Sequence, residues 1–237
     1  MNGTLILTAV ELEAAGLARE LELPALSDLP FRAFGRGLVR IVPVGLGAAL
    51  LAERWPAAVT GLGRPLIVSA GVCGGLDPRL AAGDLVLPTR VLAADGAALA
   101  VAPAAHARAL RDAGPSAATG ALASAAAVLA TPADKAALRA ASGAIAVDME
   151  SAPIVAAARA AGLDALVVRG VSDDAGVSVP PALSGLVSRE GRVRSGRVLL
   201  LALTRPQALP QALALRRGSR RALAAVARVL APFLAAA

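Results

Sequence analysis

The chain has 237 residues, is 57% hydrophobic with 2% aromatic residues, and carries a formal charge of +7. That length suits one α/β domain with a sizeable core, and a single cysteine, Cys73, excludes an internal disulfide and fits a reducing compartment. The charge is lopsided, with ten Arg and one Glu in residues 189–237 (net +9) against −2 for residues 1–188; three Phe, one Trp and no Tyr offer few stacking platforms, so no nucleic-acid partner is expected.

The N-terminal MNGTLILTAVELE lacks the basic n-region and small-residue cleavage site of a signal peptide, so a cytoplasmic protein is expected. Its Leu5 to Val10 run reads as a first strand, and Glu11 to Glu22 as a helix with carboxylates near its positive end. Further strands are predicted at Leu38 to Val44, Pro65 to Ala70, Asp84 to Leu87, Ala144 to Val147 and Ala165 to Arg169, with helices at Ala48 to Thr60 and Pro153 to Ala161. The uncharged run from Ala113 to Ala133 is broken by Gly114, Pro115, Gly120 and Pro132 and is no membrane span. The C-terminal segment reads as three helices, Ser195 to Thr204, Pro206 to Leu215 and Ser219 to Leu234, punctuated by Pro206 and Gly218. Arg216, Arg217, Arg220 and Arg221 cluster at the last break.

Alternating β and α elements predict a single-domain, three-layer α/β/α fold over residues 1–237, with a mixed, largely parallel central sheet and an Arg-rich helical segment at 189–237. Ligands of such sheets bind beyond the carboxyl ends of the strands. Four stretches stand there. ELE (Glu11 to Glu13) follows the first strand; SAGVCGGLDPRLAAGDLVLP (69–88) places Gly71, Val72, Cys73 and Gly74 in a Gly-rich loop; AVDMES places Asp148, Met149 and Glu150 at a strand end; VVRGVSDDAG ends in Ser172, Asp173 and Asp174. Singly, each is equally a helix start, a plain turn or an N-cap.

Taken in order, these blocks over residues 4–176 resemble the nucleoside phosphorylase and nucleosidase superfamily, which includes the methylthioadenosine/S-adenosylhomocysteine nucleosidases. The length and the Arg-rich RPQALPQALALRR tail look most like its hopanoid-associated phosphorylase branch, which acts on adenosylhopane. The resemblance implies cleavage of the bond between a purine and ribose. Asp173 would protonate the leaving base with Asp174 beside it as a second negative charge, Glu150 would hold the ribose hydroxyls, Met149 would lie beneath the sugar, and Glu13 would activate water. Asp148 is expected to be scaffold, and Arg169 to be either a site residue or a structural ion pair.

The resemblance places Val128 and Leu129 where a Phe often stacks on the purine, so an aliphatic wall is expected. No cofactor or metal is implied. Phosphate is the alternative co-substrate, with Ser69, Arg40 or an Arg of a partner subunit to hold it, but Val72 and Cys73 stand where phosphate-handling members have hydroxyls, which favours water. A homo-oligomer is implied. The expected activity is adenine release from a 5′-modified adenosine, with methylthioadenosine/S-adenosylhomocysteine or futalosine-type nucleosidase and phosphate-using purine nucleoside phosphorylase as alternatives, and a membrane-associated nucleoside-binding protein as the non-enzymatic one. A lipid-linked nucleoside would bring the protein to a membrane, and the Leu, Val and Phe233 of the last two helices with their flanking Arg read as a peripheral contact with an anionic inner-membrane surface.

Overall fold

A computed structural model describes residues 2–179, 188, 190–191 and 209–234. Among these residues eleven strands form one mixed sheet: β1 (Thr4–Thr8), β2 (Ala25–Leu26), β3 (Ala33–Arg36), β4 (Val39–Pro43), β5 (Leu66–Gly75), β6 (Leu85–Val86), β7 (Arg90–Leu92), β8 (Ala98–Ala100), β9 (Ala121–Ser124), β10 (Ala146–Asp148) and β11 (Ala165–Asp173). Its spatial order is β2-β3-β4-β1-β5-β10-β9-β7-β8, and β11 branches from β5 and carries β6. The pairs β4/β1, β1/β5 and β5/β11 are parallel, whereas β10 runs antiparallel to β5.

Period-2 alternation explains how the sheet is covered on both faces. On β1, Leu5 and Leu7 enter one core with Leu51 and Ala58 of α2 (Leu51–Val59) and Ile154 and Ala158 of α5 (Ser151–Ala160). Ile6 faces the opposite core, with Leu17 of α1 (Glu11–Glu20), Ala109 of α3 (Pro103–Ala113) and Val226 and Phe233 of α6 (Leu209–Leu234). The remaining helix, α4 (Pro132–Ser142), starts at a Thr131 cap whose hydroxyl accepts from the Asp134 N–H, and ends on Gly143 in the left-handed region.

Three sequence expectations change. First, β5 does not stop at Ala70: Gly71 to Gly75 are strand, because β11 pairs with β5 through Cys73 and Gly74, and β10 closes on Gly74 and Gly75. Likewise β11 continues past Arg169 to Asp173. Second, Gly218 is no break. One helix runs through it, because Gly218 lets α6 touch β11: a Cβ there would overlap the Ser172 carbonyl oxygen. Third, Leu223, Val226, Val229, Leu230 and Phe233 are buried on the sheet, so this half of α6 presents no interfacial apolar face, although all four clustered Arg are exposed. The Ser195 to Thr204 helix lies outside the described residues. Among the described residues no helix is long and apolar enough to cross a membrane.

Gly170 repeats the close approach four residues further along α6. A Cβ there would lie 2.5 Å from the Ala222 carbonyl oxygen and 2.6 Å from its Cα, both backbone atoms that cannot rotate away. Gly170→Ala is therefore expected to cost about 2–3 kcal/mol in urea unfolding by forcing α6 off the sheet. A change under about 0.5 kcal/mol would mean that the helix is free to shift.

Candidate active site

The carboxyl ends of β1, β5, β10 and β11 converge on a cavity of ≈ 220 Å³. Its lining includes Glu13, Val72, Cys73, Gly74, Val128, Leu129, Met149, Glu150, Ser172 and Asp173, so ten of the positions expected at the site meet there. Gly71 does not line it. It sits behind the wall, where a Cβ would be 2.6 Å from Glu13 Oε1 and 2.7 Å from Arg169 Nη1, and so it makes room for both side chains.

Glu13 owes its position to α1. Its Oε2 accepts the Ala9 and Val10 N–H groups at 3.0 and 3.2 Å, tying the carboxylate to the helix start, and its Oε1 accepts the Val72 N–H at 2.9 Å. Glu13 therefore caps the helix start while lining the cavity. Burial pushes the carboxyl above its ordinary range, opposed by Arg169 and by the three N–H groups.

Strand β10 ends by splitting its two acids. Asp148 Oδ2 receives Arg169 Nη2 at 2.7 Å and the Ser151 N–H and hydroxyl, starting α5, while Ser69 and Ser151 hydroxyls accept from the same guanidinium. Arg169 and Ser69 are fully buried in this network; Arg169 is ion-paired to Asp148, and its Nη1 has no hydrogen-bond partner among the described residues. Glu150 turns the other way, toward the cavity, and its Oε1 accepts the Gly47 N–H at 2.8 Å. That donor comes from a 3-10 turn, Leu46–Ala48, in which Gly47 has φ +60°; the sequence pattern starts a helix at Ala48, whereas α2 starts at Leu51. Burial first, and the Asp148 charge second, push Glu150 up to about 7.

Asp173 has both oxygens engaged. Ser172 Oγ donates to Oδ1 at 2.5 Å, and Lys135 Nζ donates to Oδ2 at 2.5 Å. The expected neighbouring charge, Asp174, is instead spent on its own turn, accepting the Gly176 N–H at 2.9 Å. A cation thus stands where a second anion was anticipated.

Sequence reasoning missed Lys135, as it missed Leu46, Ala127 and Val179, which also line the cavity. One signal for Lys135 is visible in the sequence: it is the sole lysine among 24 basic residues. The others carry no chemistry that a sequence displays. Val128 is exposed at the cavity rim and Leu129 is half-buried, an aliphatic wall with no ring. Burial pushes the Cys73 thiol up, so it stays a neutral thiol; the sole histidine, His106, is buried away from the cavity against the Leu87 carbonyl.

A family model described as the phosphorylase superfamily matches residues 5–204. The chain belongs to that superfamily. Its members' chemistry makes it a glycosidic bond-cleaving enzyme. No protein of curated function matches the sequence. Among solved structures, the 5′-methylthioadenosine/S-adenosylhomocysteine nucleosidase of Neisseria meningitidis, in complex with methylthio-immucillin-A, is 19% identical with a TM-score of 0.72 and full coverage of both chains. The corresponding S. pneumoniae enzyme, with a transition-state inhibitor, is 18% identical with a TM-score of 0.72 over 98% of each chain. Futalosine hydrolase of Helicobacter pylori is 16% identical with a TM-score of 0.70, covering 100% of this chain and 98% of its own. At such identities the likeness establishes the superfamily fold.

Proposed function

We propose that the protein hydrolyses the N-glycosidic bond of a 5′-modified adenosine and releases adenine. The carrying observation is that Glu13, Glu150 and Asp173 line one cavity together with Met149. In this reading Asp173 protonates the leaving base, which departs poorly as an anion. Glu150 accepts the ribose hydroxyls and stabilises the positive charge that develops at the anomeric carbon, above the soft surface of Met149. Glu13, with a raised proton affinity, takes a proton from the attacking water.

The charge balance favours water over phosphate. Glu13, Asp148, Glu150 and Asp173 face Lys135 and Arg169, a formal excess of two negative charges, and a phosphate dianion would enter against it. Arg40, one candidate to hold phosphate, turns its Nη1 to the carbonyls of Ala57, Ala58 and Thr60. Lys135 is likewise committed to acceptors of the protein itself, whereas Arg169 spends Nε and Nη2 on Ser151, Ser69 and Asp148 and keeps a buried Nη1 with no hydrogen-bond partner among the described residues.

The 5′ group is read from the adjoining groove of ≈ 950 Å³, which shares Leu46 and Met149 with the cavity and is lined mainly by small apolar side chains, among them Ala93, Ala125, Ala152 and Pro153. A bulky apolar substituent such as the hopane of adenosylhopane suits that lining. The exposed Arg216, Arg217, Arg220 and Arg221 flank the turn of α6 that meets Ser172, so a basic surface lies near the strand end bearing Asp173, as a substrate held in an anionic membrane requires.

The test is to quantify adenine and the sugar product from adenosylhopane in anionic vesicles, from methylthioadenosine and from aminodeoxyfutalosine, the adenine-bearing form of futalosine, each with and without phosphate. Adenine and free sugar from adenosylhopane, independent of phosphate, are expected. Adenine from none of the three overturns the function, a sugar phosphate formed only with phosphate overturns hydrolysis, and preference for a small substrate overturns the lipid assignment.

A further inference from the structure

We infer that Lys135 is the proton reservoir of the site: it acts through Asp173 as a positioning residue that supplies the proton which Asp173 gives to the leaving base. The inference rests on the reading of Asp173 as proton donor. Lys135 comes from α4, 38 residues before Asp173 in sequence, and its side chain is 1% exposed. Its three N–H groups meet three acceptors: Asp173 Oδ2 at 2.5 Å, the Asp174 carbonyl at 2.6 Å and the Val177 carbonyl at 3.2 Å. Among the described residues, the other donor to this carboxylate is the Ser172 hydroxyl, which binds Oδ1 and lies 3.1 Å from the Cys73 carbonyl.

In this scheme one proton passes from Nζ to Oδ2 across the 2.5 Å contact, converting ammonium and carboxylate into amine and carboxylic acid, because only the acid form of Asp173 can donate. When the C–N bond breaks, its electron pair leaves with the purine and the carboxyl proton neutralises it. Lys135, now a neutral amine, recovers a proton from solvent, matching the one that the attacking water releases through Glu13. Atoms and charge balance with no reactant beyond water. The two carbonyl contacts hold Nζ in place throughout and tie it to the 174–177 segment.

Two ribosides with the same 5′ group, one bearing adenine and one bearing p-nitrophenolate, separate proton delivery from mere support, since the phenolate leaves without protonation. The informative variant is Lys135→Arg, which keeps the positive charge beside Asp173 but cannot give up a proton. In Lys135→Arg, and equally in Lys135→Gln, the ratio of adenine to p-nitrophenolate release should fall ~100-fold, as general acid catalysis is lost. Asp173→Asn is the control and should show the same fall. A native ratio in Lys135→Arg, or in Lys135→Gln should the Arg variant not fold, overturns the reservoir and leaves Lys135 an anchor. If the ratio falls in Asp173→Asn alone, the proposed function stands and only this inference is lost. If the native ratio persists in Asp173→Asn as well, or the unmodified protein cleaves neither riboside, the underlying reading is lost with it.

Discussion

Asp173→Asn should lower adenine release by about 10²- to 10⁴-fold in kcat while the protein stays folded. Asn is nearly isosteric: its carbonyl oxygen can accept from Lys135 Nζ in place of Oδ2, and Lys135 keeps the Asp174 and Val177 carbonyls. Under the proposed function, what disappears is the ability to pass a proton to the purine. Adenine is a poor leaving group as an anion, so the loss falls on the chemical step and leaves substrate affinity largely in place. Single-turnover rates with a thermal melt on the same preparation decide it. Retention of more than a tenth of the native rate would remove Asp173 as the acid.

Glu150→Gln should have two effects of opposite sign: kcat/KM falls ~10²- to 10³-fold, yet at about pH 8 the variant melts about 5 °C higher than the native protein. The stability effect follows from linkage. Glu150 has its proton affinity raised from 4.5 to about 7 by burial and by Asp148, so between these values the folded protein binds more protons than the unfolded chain. Stability contributed through this group is therefore present below about pH 4.5 and falls as pH rises through about 7, the reverse of a salt-bridged carboxylate. The loss is on the order of 3–4 kcal/mol at about pH 8. Gln is neutral throughout and its amide oxygen can still accept the Gly47 N–H, so the gain should vanish near pH 4.5. Activity is lost because the amide has no negative charge to set against the developing cation and only one acceptor oxygen. Equal melting temperatures under the alkaline condition would show that the cluster does not strain Glu150.

The sequence displayed the strands whose apolar runs are long or whose alternation is clear, such as β1, β4 and β11, because burial on both faces demands continuous Val, Ile and Leu. It did not display β2, β3, β7, β8 or β9, which are two to four residues long. Nor did α3 and α4 stand out, since Ala supplies little contrast between helix faces in a chain this rich in it. Gly-rich segments misled in both directions. Gly71 to Gly75 read as a loop and Gly218 as a helix break, whereas Gly71 and Gly218 are places where another element comes close enough to exclude a Cβ.

By itself the sequence determined which groups could do chemistry and at which strand ends they would stand, because strand ends and helix starts are local features written in a few consecutive residues. Only the tertiary structure decided which charges meet. Asp148 and Glu150, two residues apart, part company to Arg169 and to the cavity, and Asp173 is joined by Lys135 and not by the adjacent Asp174. The reason is physical: buried carboxylates must find partners, and those partners come from whichever segments the sheet order brings alongside, at separations that no local pattern encodes.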